Sequence, residues 1–279
     1  MGRKILGISL AMVIVLSFTA CSSEPTAQEI VDSVIESMDE IKTYQFKMDM
    51  TMDTAGEVGG ESLEQDVKMD NNGTLDLENE QAISDIIVSS KGEQTMRVET
   101  YVVDGTVYSK PEIMGQEPMW MKSEMPAAIW ERMKGVSGLE NYQELLKTAG
   151  VEVIESEKVN GVDCYVLELT PDMPELYRTA TNPVGGIGPS GVLPPVPEEF
   201  LQELFSSFSV KQWIAKDTYF LMKAELDVTM TSTPELMDYV GEEGEMSVNI
   251  TLTFKAYNYN EPVSIKLPPE AEEAVETPM

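Results

Sequence analysis

The feature that most limits the fold is a change of hydrophobic period just after residue 42. Tyr44, Phe46, Met48, Met50 and Met52 alternate with Gln45, Lys47, Asp49, Thr51 and Asp53. A period of two puts the first set on one face of a strand and the second on the other. The pattern returns near the end of the chain. Phe220, Met222, Ala224, Leu226, Val228 and Met230 oppose Lys223, Glu225, Asp227 and Thr229. Met246, Val248, Ile250, Leu252, Phe254 and Ala256 oppose Ser247, Asn249, Thr251, Thr253 and Lys255. Thr95–Val103 repeats it with Met96, Val98 and Val102. These are one-sided strands of an antiparallel sheet, and the apolar face of such a sheet must be covered.

Three segments can cover it. Thr26 and Glu29 form a capping box, and Ile30, Val31, Val34, Ile35, Met38 and Ile41 follow on one helical face, which predicts a helix over Ala27–Lys42. A helical section is expected from Pro126 to about Ala149, broken near Gly135 and Gly138 and stopped by Gly150. A third helix is expected over Pro197–Phe208, with Phe200, Leu201, Leu204 and Phe205 on one side.

Turn residues divide the rest. Gly56, Gly59 and Gly60 turn the chain after the first strand. Two or three strands are expected between Ser62 and Ser90, with Asn71-Asn72-Gly73 as a hairpin turn. Asp104-Gly105 leads into Thr106–Ser109, Trp120–Lys122 is a short strand, and Val151–Val159 pairs with Val162–Leu169 around Asn160-Gly161. Residues 181–197 are a long Gly/Pro loop, and residues 269–279 read as an acidic, disordered tail.

The amino terminus reads as a secretory signal: Arg3 and Lys4, an apolar run from Ile5 to Leu16, then small residues up to Cys21. That run is too short for a span of about 20 apolar residues. Leu16-Ser17-Phe18-Thr19-Ala20-Cys21 resembles the lipobox of bacterial lipoproteins, with Phe18 where that family prefers Leu. The resemblance implies cleavage before Cys21 and a diacylglycerol on its sulfur. It implies an exported chain anchored on the outer face of the cell membrane, or in the periplasm or outer membrane where there are two membranes. Residues 1–20 would be the signal and 21–25 a tether. Arg3 and Lys4 leave with the signal, so 17 bases then face 49 acids. Such a surface repels nucleic acid and anionic headgroups, so membrane attachment falls to the covalent lipid.

Little catalytic chemistry is available. The chain has no histidine, which removes Ser-His-Asp and Cys-His catalysis and the usual zinc sites. With Cys21 acylated, Cys164 is the one remaining thiol, in an alternating strand pattern that suits a small buried residue. Asp70-Asn71-Asn72-Gly73 places its glycine too early for a calcium loop, and Gly185-Gly186-Ile187-Gly188 lacks a phosphate-loop lysine. Chance carboxylate pairs such as Glu242-Glu243 carry nothing among so many acids. No S-x-x-K nucleophile pattern appears at Ser33, Ser90, Ser207 or Ser209. The chain is expected to be no enzyme and to need neither metal nor cofactor.

Several soft motifs recur in an order that looks like one group. They are Tyr101-Val102-Val103-Asp104-Gly105-Thr106-Val107-Tyr108 followed by Trp120, Val159-Asn160-Gly161-Val162-Asp163-Cys164-Tyr165, and Tyr257-Asn258-Tyr259-Asn260-Glu261-Pro262-Val263 before Ile265-Lys266-Leu267-Pro268. Together with the leading helix they resemble the LolA/LppX–LprG-like lipoprotein and lipid carriers over most of residues 26–268. The resemblance implies an α+β fold: a strongly curved antiparallel half-barrel wrapped around an N-terminal helix and inserted helices. It implies one domain over 26–268, with 181–197 as a loop insertion. It also implies a hollow that accepts a lipid or another long apolar ligand.

The expected lining is Tyr44, Phe46, Met48, Met50 and Met52 from the first strand, with Met96 and Val98. Phe220, Met222, Leu226, Val228, Met230, Val248, Ile250, Leu252 and Phe254 complete it. Methionine is unbranched and adapts to varied apolar ligands. The alternative is an anchored envelope module whose core is filled by side chains and whose partner is a protein.

Overall fold

The computed structural model describes residues 24–126, 130, 146–172, 204–240 and 243–277. Helix α1, Ala27–Ser37, opens it. The Thr26 hydroxyl accepts the Glu29 N–H (3.2 Å) and the Glu29 carboxylate accepts the Thr26 N–H (2.8 Å), closing the expected box. The Thr26 N–H and hydroxyl, both donating to that carboxylate, hold the Glu29 carboxyl below its ordinary range. The helix is shorter than the sequence suggests. A 3-10 turn, Met38–Glu40, follows, and the chain is extended from Ile41. Asn260 accounts for this: its side chain accepts the Lys42 N–H (2.7 Å) and its own N–H donates to Thr43 O (2.9 Å), drawing the chain into the sheet.

The strands are β1 (Thr43–Val58), β2 (Glu61–Asp76), β3 (Gln81–Ser90), β4 (Glu93–Val103), β5 (Thr106–Ile113), β6 (Met121–Glu124), β7 (Gly150–Val159), β8 (Val162–Thr170), β9 (Phe205–Ala215), β10 (Leu221–Thr231), β11 (Gly244–Tyr257) and β12 (Val275–Glu276). Helix α2, Pro234–Val240, lies between β10 and β11. Asn160-Gly161 and Asp104-Gly105 both turn with two positive φ angles, the hairpin geometry their sequences ask for.

Among the described residues one sheet holds all twelve strands, in the order β12-β6-β5-β4-β3-β2-β1-β11-β10-β9-β8-β7. Every pair is antiparallel except β12 with β6. The sheet is open and curved, and with α1 it makes an α+β half-barrel of the kind the sequence leads one to expect.

Four expectations are corrected. Gly56 does not turn the chain; it pairs inside β1 with Met246, and the turn is Gly59-Gly60. Asn71-Asn72-Gly73 is not a turn but mid-β2, and residues 77–80 turn instead, where the Asp76 carboxylate accepts the Asn79 backbone (2.9 Å) and side-chain (2.8 Å) N–H groups.

The third correction concerns the helix expected over 197–208: Phe205–Phe208 are strand. A bulge at Ser206 sets Phe205 opposite Met230 and Phe208 opposite Val228, which breaks the strict alternation that would mark the start of this strand. The fourth concerns the tail. Through Thr277 it is ordered: a 3-10 turn, Pro269–Glu273, buries Ala271, and β12 joins the sheet. The helices expected over 126–149 lie mostly outside the described residues, as do Cys21, residues 1–20 and the 181–197 loop.

Ile30, Val31 and Val34 of α1 pack on Leu167 and Leu169 of β8 and Ile214 of β9. That defines the inner face. The sheet is not wholly one-sided, because Cys164, Val166, Trp213 and Ala215 alternate with those residues and form a second core on the outer face.

Candidate functional site

Register carries the inner face across the whole sheet. Ile113 pairs with Met96, Met96 with Val88, Val88 with Met69, and Met69 with Met50. Met50 pairs with Leu252, Leu252 with Leu226, Leu226 with Val210, Val210 with Leu169, and Leu169 with Val151. Directly paired residues share a face. This is therefore one apolar row through every strand from β5 to β7. The neighbouring row, through Val98, Ile86, Met48, Phe254, Ala224 and Leu167, is interrupted by Asn71 and Gln212. Ser84 donates to the Asn71 side chain (2.8 Å), so that interruption is satisfied within the sheet.

The two ends of the row's strands differ. Where β1 begins, Tyr44, Leu75, Ala82, Val102 and Ala256 are buried around Trp130. Toward the other end, Met50, Met52, Val67 and Met69 are only half-buried. Leu63 (38% exposed), Ile113 (39%), Met114 (65%) and Met119 (54%) lie beyond them, on or beside the turns at that end. On the β9–β11 side the same end is capped: Leu204 and Leu236 of α2 pack with Val228 and Met230. The apolar face is thus closed at one end and least covered over β1–β5 at the other.

Of the expected lining, Tyr44, Phe46, Met48, Met50, Met52, Met96, Val98, Leu226, Val228, Met230, Val248, Ile250, Leu252 and Phe254 fall on this face. Phe220 and Met222 do not belong with them. A register shift lets Leu221 pair with Ile214 and Lys223 with Trp213, so Met222 is an extra residue and the alternation before it is reversed. Met222 packs with Cys164 and Trp213 on the outer face, and Phe220 packs on Tyr259 (4.8 Å between ring centres). Met69, Val88, Val210 and Leu169 extend the row and are not in the expected set. Met69 is set off only by Lys68 and Asp70, a signal the Asn71-Asn72-Gly73 turn reading suppressed.

The electrostatics lie on the outer face. Lys47 pairs with Asp49 (2.8 Å) and Arg97 grips Asp85 with two nitrogens (2.8 and 3.1 Å). Asp49 faces Asp70 directly across β1 and β2. The bond to Asp49 raises the Asp70 carboxyl; burial works against Asp49, but bonds from Lys47 and Asp70 lower it. Burial pushes the Tyr44 phenol far above its ordinary range and the Tyr101 phenol up to about 12. Among the described residues no group of acids or cysteines is placed to hold a metal ion, and no helix is long and apolar enough to cross a membrane.

A cavity of about 370 Å³ lies on the outer face, where residues 262–266 cross Gln45, Thr74, Ile83 and Tyr101. On the inner side one polar atom is out of place. Trp130 is 5% exposed, and its indole Nε1 finds no hydrogen-bond acceptor among the described residues.

A family model described as a family of unknown function, DUF6612, matches residues 26–276. No curated protein matches. Among solved structures, the chain is similar to the lipoprotein LppX of Mycobacterium tuberculosis, at 12% identity and a TM-score of 0.41, covering 85% of this chain and 96% of that one. It is similar to LprF of Mycobacterium bovis, at 13% and 0.42, covering 87% and 96%. It is also similar to a putative outer membrane lipoprotein-sorting protein domain of Vibrio parahaemolyticus, at 12% and 0.25, covering 85% and 95%. These are the kinds of protein that the sequence motifs resemble; each likeness is one of fold alone.

Proposed function

The chain belongs to the DUF6612 family, a family of unknown function, and on that footing we propose that it is an exported protein, lipid-anchored at Cys21, that holds a lipid or another long apolar ligand against the inner face of its half-barrel without catalysing a reaction. The observation that carries this is the unbroken apolar row from Ile113 to Val151. Among the described residues, α1, α2 and Trp130 cover the inner face over β8–β10 and where β1 begins, and plugging by these alone would need apolar residues beneath them only. Here they continue under β2–β5, where Met69, Val88 and Met96 stay half-buried. Covering such surface with an acyl chain gains about 25 cal/mol per Å². The binding is passive, and neither nucleotide nor metal enters it. The proposed lining is the expected set without Phe220 and Met222, with Met69, Val88 and Val210 added.

The test is native mass spectrometry of the Cys21→Ser chain, which cannot be acylated, followed by solvent extraction. A reproducible added mass that extracts as lipid supports the proposal and names the ligand class. A clean mass in every preparation, with no uptake of added lipid, sinks it. A second reading, an envelope interaction module with a filled core, draws on the capped β9–β11 side, where Leu204 and Leu236 already occupy the inner face. It would then be pursued by crosslinking in cells.

A further inference from the structure

Three methionines meet on the inner face of the β1–β2 pair. Met50 and Met69 are directly paired, and Met52 follows Met50 on the same face, diagonal to Met69. A directly paired residue lies about 5 Å away and a diagonal one about 7–8 Å, within reach of long side chains. Each methionine turns about three bonds, so the three thioethers can converge on one point above the pair.

An apolar covering alone does not ask for this. The flanking positions in the same two rows are Leu252, Ile250, Val67 and Val88, so aliphatic residues serve the face on either side. Met48, the preceding inner residue of β1, packs with the core around Phe254. Met50, Met52 and Met69 are half-buried and stand outside the buried cores that the described residues form, where a small ion can reach them.

We infer that Met50, Met52 and Met69 form a three-thioether site for a soft monovalent cation, Cu(I). Thioether sulfur is a soft, neutral ligand that suits Cu(I), whereas Mg²⁺ and Ca²⁺ call for oxygen and Zn²⁺ for imidazole or thiolate. The chain has no histidine, Cys164 is buried in the outer-face core, and Asp49, Asp53 and Asp70 alternate onto the opposite face. A net charge of −30 draws cations toward the chain. Binding is coordination alone, with no change of oxidation state. The site stands independently of the lipid-binding reading.

The probe is Cu(I), added without oxygen as its acetonitrile complex to the Cys21→Ser chain in competition with the chelator bicinchoninate. This parent chain is expected to retain a single Cu(I) ion, with only sulfur neighbours in X-ray absorption at the copper edge, and to retain no Zn²⁺. Met50→Leu with Met69→Leu keeps the volume of the face and should weaken Cu(I) by at least about a hundredfold, since even outer-shell partners of a metal are worth about 10–100-fold. Met114→Leu with Met119→Leu removes two exposed methionines away from the site and should leave the affinity unchanged. If the first pair of changes unfolds the chain by circular dichroism, Met52→Leu alone is read in its place, with a loss again expected. No Cu(I) held by the parent against the chelator overturns the inference and needs no variant to read. So does an affinity unchanged by the leucines at the site, which would assign the ion to Cys164 or to scattered methionines.

Discussion

Gly73 of β2 stands directly opposite Phe46 of β1, and the phenylalanine ring lies over the glycine. A β-carbon at residue 73 would overlap the ring carbons and come within 2.7 Å of Ile83 O. The glycine makes room for an aromatic side chain on the inner face. Gly73→Ala should therefore destabilise the protein by about 1–3 kcal/mol through overpacking. Alanine's lower backbone entropy cost argues for a gain, so the sign is informative. A higher urea midpoint in the variant would show that the ring moves aside freely.

Met50 is the midpoint of the apolar row and is half-buried. Met50→Lys should be tolerated by the fold, because the lysine stem can lie along the face while its charge reaches water. It should nevertheless strip the protein of co-purifying lipid, since an acyl chain cannot cover an ammonium group cheaply. Met50→Leu keeps the volume and should keep the lipid. Lipid per mole of protein is the readout. Equal lipid in Met50→Lys and wild type would remove the row from the binding surface.

How much of this was legible in the sequence depended on where alternation was clean. In β1, β10 beyond Lys223 and β11 nearly every inner position is apolar and its neighbour polar, and the predicted faces match the registers. Hairpin turns were legible where two residues carried the signal, as at Asn160-Gly161. In β2 the inner face includes Gln65, Asn71 and Gly73, which a sheet tolerates when Ser84 answers the Asn and Phe46 covers the Gly. Read alone, the same residues spell a turn. Bulges hid the rest. An extra residue at Ser206 broke the alternation at the start of β9, and one at Met222 moved Phe220 and Met222 off the face that strict alternation gave them. Bulges depend on the neighbouring strand, and strand order was not readable from one chain.

The acidic C-terminus is a further case, and it can be tested. Val275 N–H donates to Trp120 O (3.0 Å) and Thr277 N–H to Lys122 O (2.9 Å), while Ala271 and Ala274 are buried. Ending the chain at Pro268 should leave β6 as a bare edge held only by β5. Amide hydrogens of Met121–Glu124 should then exchange at least tenfold faster, with a stability loss of about 1–3 kcal/mol. Unchanged exchange there would mean that the tail is held as loosely as its composition suggests.

Asp70 gives a prediction with a definite sign. It faces Asp49 across the β1–β2 pair, with Lys47, Lys68 and Lys255 on the same outer face. Its carboxyl is raised, chiefly by the bond to Asp49. A carboxyl raised on folding binds its proton more tightly in the folded state. Its ionisation therefore costs nothing below the unfolded value of 3.8, and the penalty is complete once pH passes the raised folded value. Asp70→Asn removes that penalty and can still donate to Asp49. The variant should be more stable than wild type at pH 7 by about 0.5 kcal/mol, the scale of a cross-strand like-charge pair. The advantage should shrink as pH falls toward the unfolded value, and at pH 7 it should shrink with added salt. Urea titrations of both proteins at pH 7 and pH 3.5 measure it. A variant less stable at pH 7 would mean that the lysines around Asp70 outweigh Asp49.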